Sequence, residues 1–143
     1  MLLKTCLTGC LVFTVLVFAS CKKKNRKDDL GSTQEEALKF DFAGVEEGAY
    51  NKALDSTFTF QVHITSKVPT AGVGTTLNVV SDPAGFGLDQ AAVPNDTAAT
   101  FSISLNHLKE LKTYKVTVQL RSLGNTSNVS LPKIFYITNK VTP

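Results

Sequence analysis

From Leu38 onward, apolar and polar residues alternate in one short block after another. Leu38, Phe40 and Phe42 alternate with Lys39 and Asp41. Across residues 57–65, Phe58, Phe60, Val62 and Ile64 share one face, while Thr57, Thr59, Gln61 and His63 share the other. Leu77, Val79 and Val80 form a third block, and Phe101, Ile103 and Leu105 a fourth. Tyr114, Val116, Val118 and Leu120 form a fifth, and residues 134–137 the last. A period of two places successive side chains on opposite sides of a pleated strand, so each block predicts a β-strand with one buried face. Pro69, Gly72 and Gly74 punctuate the chain after the second block, residues 82–85 (Asp-Pro-Ala-Gly) read as a turn, and Gly124-Asn125 separates the last two blocks. Residues 45–54 read as either a short helix or a loop. Several short strands with one apolar face each need a second sheet to cover that face. The pattern therefore predicts an all-β sandwich, one domain over residues 37–143.

The first residues follow a different rule. Lys4 precedes an apolar run from Leu11 to Ala19, which is followed by Ser20-Cys21 and then Lys22, Lys23 and Lys24. An early cation, a short apolar stretch and small residues behind it have the form of a secretory signal. The competing reading is an uncleaved membrane helix. Residues 2–19 sit at the lower edge of a span and are diluted by Lys4, Thr5, Thr8 and Thr14. The cations behind it, with Arg26 and Lys27, would then hold the C-terminal domain in the cytoplasm. Phe18-Ala19-Ser20-Cys21 resembles the lipobox of bacterial lipoproteins. That resemblance implies loss of residues 1–20, acylation of Cys21, and a membrane anchor through that lipid. The expected place is the cell envelope, as an outer-membrane lipoprotein on either side. Residues 21–36 are charged and without periodicity, which predicts a disordered tether. Its basic half is either a patch for anionic headgroups or a solvated spacer.

Charge and cysteine usage act mainly by exclusion. The chain carries a net charge of +3, but residues 37–143 hold nine cations against eight acids. A near-neutral domain offers no basic face for phosphates, so nucleic acid is not an expected partner. Cys6 and Cys10 fall within the signal and Cys21 is spoken for, which leaves the domain without disulfides or thiolate chemistry. His63 and His107 have no partner at ligand spacing. Asp82, Asp89 and Asp96 recur at intervals of seven without the alternation of a calcium loop. There is no nucleophile elbow and no glycine-rich phosphate loop, and Glu46-Glu47 are neighbours in one segment. The expectation is a protein with no metal, no cofactor and no catalytic residues.

Two local motifs carry further resemblances. Leu108-Lys-Glu-Leu-Lys-Thr-Tyr114 resembles the tyrosine corner of fibronectin type III and related immunoglobulin-like domains. It implies an immunoglobulin-like antiparallel sandwich of about seven strands, with the Tyr114 hydroxyl bonding back to backbone near Leu108. Residues 120–128 are similar to the polar hairpin between the last two strands of such domains. The family has a core tryptophan; this chain has none, and Phe58 or Phe60 stands in its place. Asp55-Ser56-Thr57 and Asp96-Thr97-Ala98 resemble the short motif O-glycosylated in exported proteins of Bacteroidota, which implies modification at Ser56 and Thr97. The tether, with its Cys-Lys-Lys start and Asp28-Asp29, is also similar to those of that phylum's lipoproteins.

Residues 82–98 are long for a sandwich connection, and long loops in compact domains are often functional. Phe86 within them is either an exposed contact for a protein or glycan partner, or part of a short strand with Leu88 packed on the core. Two kinds of function remain. A binding or adhesion module would show an exposed aromatic patch at a loop end. An accessory structural subunit of an outer-membrane assembly of the nutrient-uptake type would show an exposed apolar edge strand.

Overall fold

The computed structural model describes residues 34–140, so the expected signal, Cys21 and most of the expected tether lie outside the described residues. Seven strands are present: β1 (Phe40–Ala43), β2 (Tyr50–Ala53), β3 (Phe58–Ile64), β4 (Val73–Asp82), β5 (Thr100–Leu105), β6 (Thr113–Ser122) and β7 (Lys133–Asn139). They form two sheets, one ordered β1-β3-β5 and the other β2-β7-β6-β4. The fold is an all-β sandwich, as the alternation predicts.

The period of two is visible in the burial of each strand. Along β3, Phe60, Val62 and Ile64 are buried while Thr59, Gln61 and His63 are exposed. Along β6, Tyr114, Val116, Val118 and Leu120 all face the core. Between the sheets, Phe40, Phe42, Phe60 and Phe135 meet edge to face, with ring centroids 4.9–5.6 Å apart. Edge-on contact sets positive ring edges against negative ring faces, adding about 0.5–1.5 kcal/mol per pair beyond burial. Phe60 is 1 % exposed within this cluster, whereas Phe58 is only half-buried at its edge.

Two features depart from the sequence expectation. Residues 45–54 contain the strand β2, which pairs with β7 in parallel; the other strand pairs are antiparallel. The chain leaves β1, turns through Gly44 at φ 85° and Gly48 at φ 72°, and joins the opposite sheet. Asn51 secures the crossing, donating through Nδ2 to the carbonyls of Glu46, Ala49 and Tyr136. Gly74, expected to break the chain, lies inside β4. The break comes at Gly72, whose φ of 85° turns the chain into the strand.

Candidate functional site

The two ends of the sandwich differ in what they present. At one end residues 34–39 enter and are fixed at once. Asn128 accepts the Leu38 N–H at Oδ1 and donates through Nδ2 to Glu35 and to the Glu36 carbonyl. The Glu36 carboxylate accepts the Lys67 N–H. Lys133 closes the adjoining side of the sandwich, 3.0 Å from Asp41 and also paired with Glu47, with its ammonium over the Phe40 ring. Its pKa is raised from the usual 10.5, chiefly because its ammonium donates a hydrogen bond to the Glu47 carboxylate. Partial burial opposes that shift, and Asp41 adds to it.

The opposite end is built from the turn after β4 and from residues 106–112 between β5 and β6. The turn is tied to Ser81, whose backbone N–H donates to Phe86 O at 2.8 Å and whose Oγ accepts the Phe86 N–H at 3.0 Å. Held this way, Phe86 projects outward, 75 % exposed, while Leu88 packs against the core. The two residues thus divide between the alternatives the sequence left open. Residues 106–112 are held from several sides. Asn139 Nδ2 donates to Leu108 O at 2.8 Å, Asn139 O accepts the Leu111 N–H at 2.8 Å, and Asn139 N–H donates to Lys112 O at 3.1 Å. The Lys109 N–H donates to the Tyr114 hydroxyl at 3.1 Å, and the Leu108 N–H to Ser56 O at 2.8 Å. Leu108 plugs into the core at 2 % exposure.

This clamp holds Leu111 at φ 55° and 77 % exposed. A left-handed backbone is costly for a leucine, and nothing in the core gains from its side chain. Between Phe86 and the clamped loop lies a cavity of 370 Å³, with Pro83 on its wall and Lys109 and Lys112 contributing to its lining. It brings together an exposed aromatic tip, two cations and walls held by hydrogen bonds.

The other singled-out residues do not gather here. Ser56 and Thr97 are both exposed, in loops at opposite ends. Each follows an aspartate whose carboxylate accepts the N–H two residues on, at Thr57 and at Ala98. His63 Nδ1 sits 2.8 Å from Thr100 Oγ1 on the outer face of the three-stranded sheet, and His107 is exposed. Asp82, Asp89 and Asp96 are strung out along the β4–β5 connection, and among the described residues no three His, Cys, Asp or Glu side chains come together. Sequence reasoning found Phe86 but missed Leu111, Lys109 and Lys112. No local signal marks them, because a leucine three residues after Leu108 looks like a second core residue.

The class these features define is a two-sheet β-sandwich with a rigid, apolar-tipped loop end. Compared with known proteins, the chain matches no protein-family model, no curated protein and no solved structure. Among the described residues no helix is long and apolar enough to cross a membrane.

Proposed function

We propose that this protein is a non-catalytic binding module held in the cell envelope by a lipid on Cys21. The observation that carries the reading is the separation of the two ends. The chain enters at residues 34–39, and the exposed Phe86 and Leu111 stand at the opposite end on backbone fixed before any partner arrives. Preorganised apolar tips reduce the ordering that binding must otherwise offset. The ligand class is a protein or glycan surface. The strand order and the Tyr114 hydroxyl bond support an immunoglobulin-like assignment, and the lipobox resemblance supports the outer membrane as the site of anchoring. A second reading, an accessory subunit of an envelope assembly, is favoured by an unpaired stretch on the edge of β4.

Photocrosslinking in the native envelope tests the proposal. A benzophenone side chain at position 86 of the acylated chain is expected to give one adduct of fixed mass that Leu111→Ser abolishes. The same group at Gln61, on the outer face of the three-stranded sheet, is expected to give none. Equal adducts from both positions, or none from either, refute the distal end. Palmitate label that survives Cys21→Ala refutes the anchor.

A further inference from the structure

β4 is an edge strand, and part of its outward edge is unused. Pairing with β6 takes the N–H and C=O groups of alternate residues, so those of Val73, Thr75, Leu77, Val79 and Ser81 point away from the sheet. The β4–β5 connection folds back along this edge and closes it at both ends. At one end Ser81 N–H donates to Phe86 O and Leu88 N–H to Val79 O, each at 2.8 Å. At the other, Val73 and Asp96 exchange two bonds of 2.8 and 3.0 Å. Between these, the N–H and C=O of Thr75 and Leu77 and the N–H of Val79 have no protein partner among the described residues. Beside them the connection stands off and leaves a groove of 430 Å³, lined in part by Leu77, Leu88 and Val93. Thr75 lines it too. Its Oγ1 is the one buried side-chain polar atom among the described residues without a hydrogen-bond partner.

The geometry points to a strand-addition site, in which a short extended segment of a partner protein pairs with Thr75, Leu77 and Val79. Donors and acceptors that repeat every second residue, roughly 7 Å apart, are the complement of another extended backbone. The closed ends set the length, since only about three partner residues fit between Asp96 and Leu88 at 3.3–3.4 Å per residue. They also reject a second copy of this chain, whose own β4 would bring the same two closures into the same space. The apolar side chains of the groove favour a partner residue with a small aliphatic side chain. Proline is refused at any partner residue whose N–H faces β4, because it has no N–H to give. This surface is separate from the distal loops and independent of the lipid, so it stands or falls apart from the binding-module reading and rests on the same β4 edge as the second reading.

The test uses a phage library of random heptapeptides panned on the purified chain lacking residues 1–20. Enrichment of β-prone peptides is expected. Binding of the synthesised peptide should slow amide exchange at Thr75, Leu77 and Val79 by roughly tenfold or more, because these amides are open in the free chain. The amides of Thr76 and Asn78, already paired with β6, should not change. Leu77→Pro removes an N–H that the sheet does not use and should abolish binding, whereas Phe86→Ser should retain it. The inference is overturned by the absence of any enriched peptide, by full binding to a folded Leu77→Pro chain, or by protection confined to residues 106–112. If Leu77→Pro does not fold, exchange at the three wild-type amides decides alone.

Discussion

Asn139 is 2 % exposed, and an amide taken out of water must find partners inside the protein. It donates to Leu108 O, while its own backbone holds Leu111 and Lys112, so one residue at the end of β7 fixes the distal loop. Truncation by Asn139→Ala would leave a buried carbonyl without its donor, a loss of about 1–3 kcal/mol. Tyr114→Phe removes only a hydroxyl acceptor from a half-buried N–H and should lose about 1 kcal/mol. Urea midpoints at unchanged slope would rank the two. A larger effect for Tyr114→Phe would contradict the role given to Asn139. Lys133 carries a pH dependence. Its pKa is raised in the folded state, so its contribution is complete below the unfolded value of 10.5 and fades as pH rises through the folded one. The stability gap between wild type and Lys133→Met should be flat at neutral pH and narrow above 10.5. A gap that widens there would reverse the assignment.

At the scale of elements, the strands that alternate cleanly were legible, and the one that does not was hidden. β3, β5 and β6 bury every second residue, which local pattern can show. β2 buries only Ala53; it is fixed by Asn51 and by the Tyr50–Tyr136 stack, whose centroids are 4.8 Å apart. The contacts to Tyr136, from Asn51 and from Tyr50, join residues far apart in the chain, so no window of sequence contains them. The candidate site was half legible for the same reason. Phe86 lies in a loop of unusual length, but the exposure of Leu111 depends on Asn139, distant in sequence. The closure of the β4 edge is likewise non-local and hinges on Gly72. A Cβ there would stand 2.5 Å from Asp96 O, and the φ of 85° disfavours any side chain. Gly72→Ala should therefore break the Val73–Asp96 pair and lengthen the open edge. An edge freed of its closure is a template for other chains. The variant should scatter light on mild warming at concentrations where wild type stays clear; equal behaviour would mean that the closure protects nothing.

For the whole molecule, the question is where the folded unit begins. Backbone contacts divide the chain so that the described residues, 34–140, fall in one compact unit. Stability should follow that division rather than the limits of regular structure, because anchoring contacts precede β1. Glu35 and Glu36 are bonded to Asn128 and Lys67, and Leu38 is 4 % exposed within the core cluster. A chain beginning at Thr33 should unfold within about 0.5 kcal/mol of one beginning at Cys21, as changes outside the packed unit usually do. A chain beginning at Phe40 loses Leu38, worth about 1.5–3 kcal/mol of burial. It also strips Asn128 of its partners and exposes the Phe40 side of the core. Its loss should exceed about 3 kcal/mol, a large share of the roughly 5–15 kcal/mol that holds a domain folded. Denaturant titration of the three chains distinguishes the cases. If the Phe40 chain were as stable as the others, residues 34–39 would contribute nothing to the fold. If the Thr33 chain were already weakened, residues 21–32 would contribute to the stability of the sandwich, and the boundary of the folded unit would lie nearer Cys21.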